Sequence, residues 1–329
     1  MSTLQQMTTY HIRHITRYRY ASPVIDCANQ IMLYPIQDAL QVLKKHELTI
    51  SQNPDLEEFV DYFGNRIGVF SVISPITELS IISDIEIDIS PTVLPELNAT
   101  IDERWKKLEE LRNVFPYMDF MMLENFEHEN EVLEEIKRLV DYSQSPFEAA
   151  QILSKYVYDN FEYRKGVTTV ETEAEEIWKL KAGVCQDFAH ISLVMLRMVG
   201  IPARYVSGYI CPRNQELRGE GATHAWVEVC VPFYGWLGLD PTNNCIASDR
   251  HVRLAIGRNF SDCTPVKGTY KGSSEHTLEV SVIIENGESN REDRIESSTP
   301  AFSYKTKNPA PQINSYRRFL EQQQQQQQQ

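Results

Sequence analysis

Neither a membrane span nor a disulfide framework is written into this chain. No apolar run approaches the ~20 residues that a spanning helix needs, and Met1-Ser2-Thr3-Leu4-Gln5-Gln6-Met7 lacks the charged-then-apolar order of a leader. Cys27, Cys185, Cys211, Cys230, Cys245 and Cys263 are scattered with no C-x-x-C pair. A chain of 329 residues, 42% hydrophobic, buries enough core to need no staples. Reduced thiols and a soluble, cytoplasmic protein without membrane partners are expected. The 8 histidines do not pair at ligand spacing, so no metal site is expected. The absence of a phosphate loop or dinucleotide fingerprint likewise suggests no cofactor. Positive charge is short: 32 Lys and Arg against 46 Asp and Glu give a formal charge of -14, which repels phosphate backbones and removes nucleic acid from the expected partners. Arg13, Arg17 and Arg19 alternate along one segment and read as a solvated sheet face, and Glu173, Glu175 and Glu176 as the wet side of a helix.

What is present falls into four stretches. Residues 1–100 read as strands: Tyr10 to Tyr20 alternates, Phe70-Ser71-Val72-Ile73 is apolar and β-branched, and Ile81, Ile85, Ile87 and Ile89 alternate again. Asn53-Pro54 and Gly64-Asn65 punctuate them, and an N-terminal β-sandwich-like domain is expected. Residues 101–130 read as a connecting segment. Residues 131–285 carry helical patterns over Glu131–Tyr142, Pro146–Asn160 and Glu173–Leu180, then short strands, the last at Thr277–Ile284. Residues 286–329 are polar and end in glutamines from 322 to 329, the composition of a disordered tail.

The chemistry gathers in the third stretch. Phe188, Ile191, Met195 and Met198 recur at helical spacing and Gly200-Ile201-Pro202 stops the run, which places Cys185 at a helix start. Unpaired N–H groups and the positive end of the helix dipole favour thiolate over thiol there. On position alone, an inert core thiol reads equally well. Downstream, Thr223–Val229 and Trp236–Asp240 alternate around the turn-like Pro232-Phe233-Tyr234-Gly235, predicting a hairpin. Pairing Ala225 with Leu239 and Val227 with Leu237 puts the apolar residues on one face and His224 opposite Asp240. A thiol, an imidazole to move protons and a carboxylate to orient it make up an acyl-transfer apparatus. His190 lies five residues beyond Cys185, about 140° around the helix, and suits a core hydrogen bond better than proton exchange.

At these residues the chain resembles a known family. Gly183-Val184-Cys185-Gln186-Asp187-Phe188-Ala189, Gly200-Ile201-Pro202-Ala203-Arg204-Tyr205-Val206-Ser207-Gly208-Tyr209, His224-Ala225-Trp226-Val227-Glu228 and Leu239-Asp240-Pro241-Thr242-Asn243 look like the core of the bacterial transglutaminase-like proteins, described as candidate cysteine proteases. His251 to Asp262 resembles the family's next segment, and the first hundred residues its accompanying N-terminal region. The resemblance implies an α+β, papain-like core with the nucleophile helix against an antiparallel sheet. It also implies Cys185 as nucleophile, His224 as base and Asp240 as orienting acid. One oxyanion donor is expected from the Cys185 N–H, with Gln186 and Tyr163 as candidates for the second. Gln186, Tyr163, Tyr209 and Trp226 are candidate cleft residues, which at such positions are as often core.

The leading expectation is therefore a cysteine enzyme that hydrolyses a peptide or isopeptide amide through a thioacyl intermediate, with a peptide or protein as partner. An amine acceptor instead of water would make it a protein-glutamine amine transferase. A non-catalytic binding module on the same scaffold, or acyl transfer between small molecules, completes the alternatives.

Overall fold

The architecture starts from one unusually long strand. In the computed structural model, which describes residues 7–94, 98–123, 126–170, 172–211, 217–218, 223–272 and 274–287 and the backbone of 304–306, β1 runs for 24 residues over Thr8–Ile31. Its first half alternates, burying Tyr10, Ile12, His14 and Thr16, as a strand with one covered face must. The partners that follow are β2 (Gln41–Ile50), β3 (Leu56–Val60), β4 (Arg66–Val72) and β5 (Ile76–Ile89). The first half of β1 pairs with β5, the second half with β4, and the ladders slip between Arg19 and Val24 and again between Ile25 and Ala28. Asp26 takes a left-handed φ of 50° at this point. Such an interruption bends a strand and re-aims its pairing. The expected β-sandwich is accordingly one eight-stranded antiparallel sheet curled on itself, because both halves share β1 rather than being separate layers.

Helices then cover the second half. They are α1 (Ile101–Leu111), α2 (Glu129–Leu139), α3 (Pro146–Asn160), α4 (Ala174–Leu180) and α5 (Cys185–Met198), with two-residue strands β6 (Glu162–Tyr163) and β7 (Ala182–Gly183) pairing in parallel between them. The helix α1 lies inside the stretch read as a connector. Thr100 and Glu103 form its capping box, a signature present in the sequence. Ser145 and Glu148 cap α3 in the same way, ahead of Pro146. The end of α5 is a Schellman turn: Ile201 N–H donates to the Leu196 carbonyl and Gly200 N–H to that of Arg197, with Gly200 at φ 93°. No helix among the described residues is long and apolar enough to cross a membrane.

The remaining strands are β8 (Ala203–Ile210), β9 (Thr223–Val231), β10 (Gly235–Asp240), β11 (Cys245–Ile246), β12 (His251–Gly257), β13 (Val266–Lys271), β14 (His276–Asn286) and β15 (Tyr304–Thr306). Five of them form a second antiparallel sheet in the order β11-β10-β9-β8-β12. Ala225, Val227, Val229, Leu237 and Leu239 of this sheet share a core with Phe188, Ile191 and Leu196 of α5. Tyr209, Cys211, Val252 and Leu254 are buried with the curled sheet instead. The fold is thus mixed α+β, with the second sheet between the helices and the first sheet. The final strands return home: β13 and β14 both pair with β1, and β15 pairs with β14. Most of the expected disordered tail, residues 288–303 and 307–329, lies outside the described residues.

Candidate active site

Cys185 is the first residue of α5, half-buried, and its position depends on the turn before it. Asp187 reaches back so that its Oδ2 accepts the Val184 N–H at 2.7 Å and the Thr168 hydroxyl at 2.6 Å. Gly183 makes this possible, since a Cβ there would lie 2.3 Å from that same oxygen. The N–H groups of Cys185 and Gln186 fall in the first turn, outside the intrahelical ladder, and form the positive end of the helix beside the thiol.

His224 and Asp240 arrive from β9 and β10. The hairpin has the expected apolar face, but its register differs by two residues: Val227 pairs with Leu239, Val229 with Leu237, and Val231 with Gly235. Pro232-Phe233-Tyr234 forms the shorter loop, with Phe233 at φ 68° and Gly235 at φ 121°. His224 therefore lies beyond the last pair and is not the cross-strand partner of Asp240. The contact still forms between neighbours along the strand ends, with His224 Nε2 2.9 Å from Asp240 Oδ2 and both side chains wholly buried.

Asp240 is held at both oxygens. Its Oδ1 accepts the N–H groups of Thr242 at 2.9 Å and Asn243 at 3.3 Å, and its Oδ2 accepts Asn243 Nδ2 at 2.7 Å as well as two histidines. The second histidine is His251, whose Nε2 lies 3.2 Å from Oδ2. Burial alone would discharge His224, yet the charge and hydrogen bond of Asp240, followed by the Cys185 thiol, outweigh it and raise its pKa to about 10. Burial disfavours the Asp240 carboxylate in turn, but His224 and then His251 hold its pKa well below the usual carboxylate range. A buried imidazolium–carboxylate pair is the result. His224 Nδ1 is buried without a partner in hydrogen-bond geometry, while Cys185 is near enough to favour the charged ring, so that nitrogen is the one free to exchange a proton.

Other expected residues divide. Tyr163, opposite Gly183 in the parallel pair, interacts with Cys185 and Asp240. Burial and then those two charges hold its phenol protonated, against the opposing charge of Arg218. The Gln186 side chain is turned to the Val170 carbonyl at 3.4 Å. Tyr209 is no cleft residue: it is fully buried, 2.9 Å from His14 Nδ1, because the end of β8 packs on the curled sheet. Trp226 is also buried, with its ring stacked beside His224 and edge-on to His251. Gly208 admits that indole, since a Cβ there would come within 2.7 Å of it and 2.0 Å of the Val252 carbonyl oxygen. His190 accepts the Phe260 N–H at 3.2 Å, the core role expected of it.

His251 is what sequence reasoning missed. Residues 224, 240 and 251 have no ligand-like spacing, and the sheet alone gathers them, with ligand-capable atoms within 4.8 Å of one another. That is close enough for a metal ion to be shared, but the atoms involved are engaged in hydrogen bonds to Asp240 Oδ2.

Comparison with known proteins gives a consistent picture. Residues 135–241 match the transglutaminase-like superfamily and residues 10–88 the bacterial transglutaminase-like N-terminal region. An uncharacterized protein of Mycobacterium tuberculosis is 32% identical over 292 residues, 84% of this chain and 92% of that one. A second, from Mycobacterium leprae, is 27% identical over 281 residues, covering 84% and 99%. A protein-glutamine gamma-glutamyltransferase of Pseudomonas aeruginosa is 32% identical over 103 residues, 28% of this chain and 15% of its own length. Among solved structures, a "putative cysteine protease" from Cytophaga hutchinsonii superposes with a TM-score of 0.70 at 19% identity, covering 92% of this chain and 96% of that one. At that identity the likeness is one of fold.

Proposed function

Because the chain belongs to the transglutaminase-like superfamily and carries the bacterial N-terminal region of that group, we propose that it is a cysteine-dependent acyl-transfer enzyme hydrolysing a peptide or isopeptide amide. The observation that carries this reading is the buried 2.9 Å contact between His224 and Asp240, with the other imidazole nitrogen left to Cys185. Cys185 Sγ attacks the amide carbonyl, and the first-turn N–H groups of α5 stabilise the oxyanion. The thiol proton already rests on the charged His224, which gives it to the departing amine as the C–N bond breaks. A thioester remains on Cys185. Water then attacks it, His224 takes a water proton and is charged again, and the carboxylic acid leaves as the C–S bond breaks. Asp240 stays ionised throughout and holds the ring.

A primary amine in place of water would give transamidation, the reaction in the name of the Pseudomonas relative over the matched 103 residues. A peptide electrophile followed by mass spectrometry separates these readings. Labelling is expected on Cys185 and is lost in Cys185→Ala, with turnover falling to background. Turnover of a glutamine or lysine-branched peptide with added primary amine then shows whether acid or new amide accumulates. Full activity in Cys185→Ala would refute the enzyme reading.

A further inference from the structure

The acyl-transfer cycle makes no use of His251, yet this ring is the most tightly specified histidine in the second sheet. It opens β12, its backbone N–H donates to the Ser248 carbonyl at 2.9 Å, and its ring packs 5.1 Å from that of Trp226. The Ser248 N–H donates to Nδ1 at 3.3 Å, so Nδ1 is an acceptor and the ring proton sits on Nε2. That Nε2–H points at Asp240 Oδ2, the oxygen that already takes His224 and Asn243. Its charged surroundings are Asp240 and His224 from the hairpin and Arg250 just before it, with Glu228 and Arg253 along the cavity it lines. Burial keeps it neutral against the pull of Asp240.

We propose that His251 is a positioning residue: an Nε2–H donor that shares Asp240 Oδ2 with His224 and limits how firmly the carboxylate holds the catalytic imidazolium. The physical reason is competition. Each N–H donor draws electron density from the same oxygen, and a carboxylate relieved of one donor binds the other more strongly. A His224 held too firmly is a poor acid towards the leaving amine. His251 thereby keeps the pair in a range where the proton can leave as well as arrive. This rests on the acyl-transfer reading above.

The test compares His251→Leu, which removes the donor, with His251→Gln, which retains one at the Nε2 position. In His251→Leu, kcat at neutral pH is expected to fall about tenfold, the value of one charge-assisted hydrogen bond, with KM little changed. Its alkaline limb should move upward by about half a pH unit or more, and His251→Gln should restore both. An unmoved limb in the Leu variant, or a Gln variant that behaves like Leu, overturns the proposal. Should the Leu variant not fold, nitrogen NMR of the whole Cys185→Ala protein decides without any turnover. His251 must show the neutral Nε2–H tautomer from pH 6 to pH 9 (roughly, a span either side of a free imidazole's titration), and a charged ring or the other tautomer overturns the inference. Since that spectrum is read in an inactive variant, it stands or falls separately from the enzymatic reading.

Discussion

Each of the two sheets buries a histidine completely, and the two end in opposite states. His14 on β1 meets only hydroxyls, Tyr209 at 2.9 Å and Thr16 at 3.0 Å, and burial drives its pKa down to about 4. His224 on β9 is as deeply buried but meets Asp240, and its pKa is raised to about 10. Desolvation is common to both rings, so the carboxylate accounts for the difference. One sheet uses its histidine as a neutral interface residue, and the other stores a charge for chemistry.

The sharpest way to break this contrast is Asp240→Asn, which leaves His224 with burial but no counter-charge. Its activity should drop by about 10³ to 10⁴-fold, as expected when an orienting carboxylate is neutralised. The alkaline limb should fall from near 10 toward the ordinary imidazole value, because burial is then opposed only by Cys185. A pH–rate profile checks both, and an unchanged limb would show that Asp240 does not hold the charge.

The His14 side of the comparison is a stability effect. A folded-state pKa of about 4 lies below the free value of 6.5, so on acidification the unfolded chain takes the proton first. Stability is intact above pH 6.5 and lost as pH falls from there towards 4. The amount specific to this ring is on the order of 3 kcal/mol. Urea titrations at neutral and acidic pH should show that part of the acid sensitivity missing from His14→Gln, and equal acid sensitivity in both proteins would remove His14 from the account.

A smaller effect is expected where charges are paired in water. Arg13 faces Asp84, while Arg17 and Arg19 face Glu78 and Glu279 on the flanking strands. Arg13→Ala should cost about 0.5 kcal/mol or less, and the cost should vanish in high salt. Differential denaturation at two ionic strengths measures it. A loss of several kcal/mol would mean that the wet face of β1 matters as much as its buried one.

The legible and illegible parts of the sequence separate along the same physical lines. The start of α5 at Cys185 could be read because apolar period and a Gly-Ile-Pro stop are local signals. The hairpin faces could be read, but the register could not: a two-residue shift leaves every side chain on the same face, so alternation alone cannot choose between the alternatives. His251 was invisible because three strands of a sheet, not a spacing, bring it to Asp240. The curl of the first sheet depends on interrupted pairing near Asp26, which alternation does not encode. Helix α1 was overlooked although its Thr100–Glu103 capping box is plain, because the acidic, proline-bearing stretch around it resembles a linker.

Strands β13 and β14 close against β1, with Tyr10 opposite Asn286. The helices and the five-stranded sheet are therefore an insertion within the first sheet's sequence, entered after β5 and left before β13. A single cut cannot excise them as a self-contained unit. Any fragment beginning after β5 would carry two orphaned ribbons with bare amide edges, prone to pair with whatever strand they meet. Circular permutation across the Tyr10–Asn286 end of the ladder would keep β13 and β14 on β1 while leaving out β15, and offers the gentler way to reposition the chain's break.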